Sequence, residues 1–150
     1  MIPTLPGRYQ TRIFLIVVIG SLWTLIIAPF LPSAGKEKFT DLYPATFLTL
    51  AIVLVLGLIL WEWFFYILQL MRWEKDWPAM FFLLQLIPEA ILAWYVFKEV
   101  AEQIELVSPA TKTTFIWHIV TTWIVIWLFA LGPIKIFFVR WRLHGGRIIL

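Results

Sequence analysis

Glu62 lies in the run LILWEWFFYILQL, Leu58 to Leu70, between Trp61 and Trp63, a carboxyl group in a segment otherwise suited to hydrocarbon. A buried carboxyl group is costly unless it is hydrogen-bonded or paired, so this one needs company. It precedes Met71 by nine residues, about 13 Å at the helical rise, too far for its short side chain to reach the interface. Tyr66 and Gln69, four and seven residues on, share its helix face. In the next apolar run Gln85 and Glu89 stand four apart, about 12 and 18 Å from the same edge, so their depths match that of Glu62. The spacing predicts a buried cluster of Glu62, Tyr66, Gln85 and Glu89, with at least one carboxyl protonated because two buried like charges repel. Its chemistry would be that of a hydrogen-bonded clamp between two helices, a proton relay or a cation site.

His118 is the other group with chemical reach. With Thr121 and Thr122 it forms a polar face near one end of the last apolar run. The only other histidine, His144, lies beyond the opposite end of that run, which excludes two histidines of one chain from the two faces of a single haem. No Asp or Glu stands three or four residues from His118, so the Glu-x-x-His pattern of di-iron bundles is absent. His118 is a weak candidate to ligate a cofactor, and a hydrogen bond within the bundle is the plainer reading. Gly20, Thr24 and Ala28 recur every fourth residue and make a smooth strip for close helix packing.

The elements that must position these groups follow from composition. The chain has 150 residues, 62% of them hydrophobic and 14% charged, with a mean hydropathy of +0.90, more apolar surface than one small water-soluble core can hide. Four apolar runs reach the roughly 20 residues that cross about 30 Å of hydrocarbon. They predict an all-α, single-domain integral membrane protein with four transmembrane helices at about 12–31, 44–71, 77–107 and 114–139. The runs are apolar all round, unlike the stripes of a soluble bundle, and do not alternate as barrel strands do. Pro29, Pro88 and Pro133 predict kinks or early ends. Arg8 and Arg12 ahead of the first run resemble the start of a signal peptide, but the run is long and lacks an Ala-x-Ala site, so it is read as a retained helix. From Lys98 to Lys112 no Gly or Pro occurs before Pro109, so the third helix is expected to continue past the membrane to about Val107.

Eight basic residues (Arg8, Arg12, Arg72, Lys75, Lys135, Arg140, Arg142, Arg147) fall on the side of the two termini, against Lys36, Lys38, Lys98 and Lys112 on the other. That places both termini in the cytoplasm of a multi-pass inner-membrane protein. The formal net charge of +3 has no basic helix face or nucleic-acid motif behind it, so nucleic acid is not a partner. The absence of cysteine excludes disulfides, thiolate catalysis and cysteine-bound metals. The paired Gly145 and Gly146 have neither a preceding strand nor a Gly-Lys-Ser/Thr ending, so they make no phosphate loop, and the basic tail around them reads as a headgroup anchor.

The expected function is a small non-catalytic accessory subunit of a larger bacterial membrane complex, in electron transport or photosynthesis. It would hold no cofactor of its own, and would contact lipid, other membrane subunits and, at an interface, quinone or pigment. The alternatives are a small proton-coupled transporter using Glu62 and Glu89, and an enzyme acting on a lipid or isoprenoid.

Overall fold

The computed structural model describes residues 3–33, 40–75, 77–107 and 110–149. The expectations that rest on Lys36, Lys38 and Pro109 lie outside the described residues.

Among these residues the chain is helical without strands, and four helices are long and apolar enough to span a membrane: α1 (Leu5–Phe30), α2 (Tyr43–Met71), α3 (Ala79–Ala101) and α4 (Lys112–Phe137). A short α5 (Val139–Leu143) follows. Arg8 at the start of α1 meets Gln69 at the end of α2, whereas the Tyr43 hydroxyl at the start of α2 donates to Leu25 O of α1 at 2.9 Å, so the two run antiparallel. The indole of Trp127 in α4 donates to Ala79 O and that of Trp123 to Phe82 O, which sets α4 antiparallel to α3. The core where they meet includes Leu15, Leu50, Val53, Phe97, Phe115, Ile119, Trp123 and Ile126. Large apolar side chains such as Ile59, Ile87, Tyr95 and Leu128 face outward, a surface made for lipid contact when these helices are embedded.

Helix α1 starts well before the predicted residue 12. Thr4 caps it, its Oγ1 accepting from Gly7 N at 3.3 Å, and Pro6 fits the first turn where no N–H is needed. Arg8 and Arg12, expected in the aqueous flank, are therefore inside the helix, both buried. At its other end Pro29 falls in a closing 3-10 turn, Ala28–Phe30. Pro88 cannot donate to the carbonyl four residues back, and α3 is interrupted at Gln85, one residue past that carbonyl. Pro133 follows a break at Gly132 and opens the last turn of α4.

The expected extension of the third helix to Val107 is not found. α3 ends at Ala101, and a 3-10 turn, Glu105–Val107, follows. Helix propensity favours continuation, but a straight helix would carry Val107 into water. The turn instead returns it to the first half of α2, where it is buried. Burial of one aliphatic side chain contributes roughly 1.5–3 kcal/mol, more than the few tenths per residue that separate propensities.

The C-terminal tail is not a free anchor. Gly145 and Gly146 take left-handed backbone angles, φ 59° and 86°, which turn the chain back along α1. Thr4 N donates to Gly145 O at 2.8 Å, the Thr11 hydroxyl to Gly146 O at 3.0 Å, and the Trp141 indole to Thr11 Oγ1 at 2.7 Å. Ile148 N and Ile149 N both donate to Gln10 Oε1. A Cβ at Gly7 would lie 2.8 Å from the Gly146 carbonyl carbon, so the two backbones touch only because residue 7 has no side chain.

Candidate functional site

Two arginines from α1 enter the space between α2 and α3. Arg8 Nε donates to Glu62 Oε2 at 2.7 Å, and Arg12 Nε donates to Glu62 Oε1 at 2.5 Å. Arg12 then reaches Glu89 with both terminal nitrogens, at 2.7 Å each. One guanidinium thus uses three donors to tie α2 to α3 through carboxylates on each, a role suited to its planar fork and beyond a lysine ammonium. Arg8 Nη1 also donates to Gln69 Oε1 at 3.2 Å, and Gln69 Nε2 donates to Pro3 O at 2.9 Å and Lys75 O at 3.0 Å. Trp77 and Trp123 flank the guanidiniums, with ring centres 5.0 and 6.0 Å from the Arg8 and Arg12 Cζ atoms, within cation–π range.

Local backbone form makes the meeting possible. α1 is π-helical over Leu15–Gly20, just beyond Arg12, and α2 over Gly57–Trp61, just before Glu62. Such widened turns re-aim the side chains beside them. Gly57 gives Arg12 room: a Cβ there would stand 2.6 Å from Arg12 Cδ.

The cluster predicted from spacing is thus differently composed. Glu62 and Glu89 are joined, but through Arg12, and two guanidiniums face two carboxylates, so opposite charge offsets the like-charge repulsion from which a protonated carboxyl was expected. Tyr66 is half-buried with no hydrogen bond among the described contacts, while Gln69, fully buried, takes the place expected for it. Gln85 is buried beside the cluster, and its Nε2 has no hydrogen-bond partner among the described residues. From the sequence Arg8 and Arg12 read as interfacial charge, whereas the structure buries both. Their four-residue spacing at the head of an apolar run was the available signal, since it puts two cations on one helix face at the depth of two unexplained carboxylates.

Beyond the ionic cluster, the strip of Gly20, Thr24 and Ala28 is buried. A Cβ at Gly20 would touch Leu50 of α2 at 3.4 Å and Ile126 of α4 at 3.7 Å, which places the strip at the centre of the bundle. Thr24 Oγ1 lies 2.9 Å from His118 Nε2. His118 is buried, Nδ1 has no partner, and among the described residues no three His, Asp or Glu side chains are grouped to hold a metal. The Trp23 indole donates to Thr121 Oγ1 at 3.3 Å, a further tie between α1 and α4.

A cavity of about 420 Å³ opens against the ionic cluster. Its walls include Arg8, Arg12 and Glu62, the indoles of Trp77, Trp123, Trp127 and Trp141, the side chain of Gln85, and two further cations, Lys135 and Arg142. Its size is that of a small-molecule site, and its surface is mainly apolar with a few convergent polar groups. No protein-family model, curated protein or solved structure matches this chain.

Proposed function

We propose that this protein is a non-catalytic accessory subunit of a larger complex in a bacterial inner membrane. The observation that carries the reading is the mutual saturation of Arg8, Arg12, Glu62 and Glu89: Arg12 spends three donors on carboxylates, and each carboxylate oxygen holds a guanidinium N–H. Groups so engaged are poor proton carriers, because releasing a proton or binding a cation would first have to break contacts made in low dielectric. The cluster works as a clamp among α1, α2 and α3, and a rigid apolar bundle with an outward-facing lipid surface is suited to a structural place beside larger chains. Extraction of native membranes in mild detergent tests this. The expected result is constant, stoichiometric co-purification with larger subunits. Recovery of the chain alone, at a single oligomeric state and in full yield, would overturn it.

The threading proposed with this role keeps both termini in the cytoplasm. With Arg8 and Arg12 withdrawn into the bundle, six basic residues (Arg72, Lys75, Lys135, Arg140, Arg142, Arg147) remain on that side of the sequence count against four on the other, and a basic excess marks the cytoplasmic side. The chain has no cysteine, so a single one introduced at the exposed Trp73 reports directly. An impermeant maleimide is expected to label it in inverted vesicles and not in intact cells; the reverse pattern inverts the topology.

A further inference from the structure

The geometry points to the cavity beside the ionic cluster as a binding site for an elongated anionic amphiphile, its charge held by Lys135 and Arg142 and an oxygen farther along its chain accepting from Gln85 Nε2. This does not depend on the accessory role. Gln85 lines the cavity, is 3% exposed, and its Nε2 has no partner among the described residues. A buried amide donor left unpaired is costly, and a ligand oxygen in the cavity would relieve that cost. The buried Trp77 Nε1 on the same wall is likewise without a partner among the described residues.

Charge points the same way. Arg8, Arg12, Lys135 and Arg142 line the cavity with Glu62 as the lining carboxylate, and Glu89 stands behind Arg12. The first two cations are neutralised by the two carboxylates, whereas Lys135 and Arg142 are exposed and without an ion pair among the described residues. The remaining excess is positive, and it calls for an anion.

The register of α3 against α4 gives the length. Trp127 meets Ala79, so Gln85, six residues inward along α3, lies about 9 Å deeper, and Lys135, eight residues along α4, about 12 Å the other way. A polar group at each end and apolar walls of Leu15, Phe82, Trp123 and Ile126 between them describe a chain of roughly 20 Å with oxygen at both ends.

The test uses the full chain in nanodiscs of phosphatidylcholine, with binding followed by tryptophan fluorescence and the melting midpoint. Hexadecanoate is expected to bind saturably, and omega-hydroxyhexadecanoate several-fold more tightly. Hexadecanol and acetate should each be at least ten-fold weaker, since one lacks the charge and the other the chain. Lys135→Gln with Arg142→Gln should weaken both acids about ten-fold. Gln85→Leu should erase the preference for the hydroxylated acid while leaving the ligand-free midpoint equal or higher, because it removes an unpaired donor. Lys98→Gln, at the far end of α3, should change nothing. Equal binding of hexadecanol would show an apolar cavity without charge selection, and equal binding of acetate a small-anion site. An undiminished hydroxyl preference in Gln85→Leu, or affinity unchanged in the Lys135 and Arg142 pair, would each overturn the assignment.

Discussion

Arg12→Leu is expected to cost about 3–5 kcal/mol of stability, the usual range for removing one partner of a buried ion pair. The reason is what it leaves behind. Glu62 keeps Arg8, but among the described residues the side-chain hydrogen bonds of Glu89 are both with Arg12, and Glu89 is 1% exposed. The substitution therefore strands a carboxylate in the interior. The diagnostic comparison is Arg12→Leu combined with Glu89→Leu, which removes both charges and should restore most of the lost stability, since an apolar pair of similar volume often replaces a buried ion pair at little cost. Arg12→Lys should fall between, because one ammonium cannot reproduce three donors aimed at two carboxylates. Thermal unfolding in detergent, read by loss of tryptophan signal, gives the order: wild type, double variant, Arg12→Lys, Arg12→Leu. If the double variant is no more stable than Arg12→Leu alone, Glu89 is not depending on Arg12.

Gly57→Ala should also destabilise, by about 1–3 kcal/mol, the range for overpacking a filled interior. The sign is the informative part. In a helix interior the change from glycine to alanine ordinarily gains roughly 0.5–1 kcal/mol. At Gly57 the added methyl would meet the Arg12 side chain, which is pinned by Glu62 and Glu89 and cannot swing aside without breaking three contacts. Gly132 is the natural control, since a Cβ there meets nothing within 4 Å. Gly132→Ala is expected to be neutral or stabilising in the same melting assay. Equal effects at the two positions would mean that Arg12 does not pass against Gly57.

The four helices were legible because lipid-spanning length is written in uninterrupted apolarity, and the runs ending at Met71 and beginning near Tyr43 left little freedom in where α2 lies. The start of α1 was not. Cutting a run at its first charge assumes that charge stays in water, and Arg8 and Arg12 break that rule because their partners lie 50 to 77 residues away, a separation no local window sees. The stop at Ala101 was hidden for a related reason: local propensity favours helix, while the burial of Val107 is a tertiary gain. Among the polar groups, depth matching located Glu62, Gln85 and Glu89 in one region. It could not rank Tyr66 against Gln69, three residues apart on one face, because which of them points at a guanidinium depends on the π-helical turn at Gly57–Trp61.

The ionic cluster also imposes an order on assembly. Ribosomes deliver α1 with its two cations long before Glu62 and then Glu89 emerge, so the nascent first helix has no internal counter-charge during its own insertion. Arg8 and Arg12 lack their carboxylate partners until α2 and α3 have followed. The ion pairs that fix α1 can form only then, and the tie between Gly145 and Thr4, which also needs the residues beyond α4, comes later still.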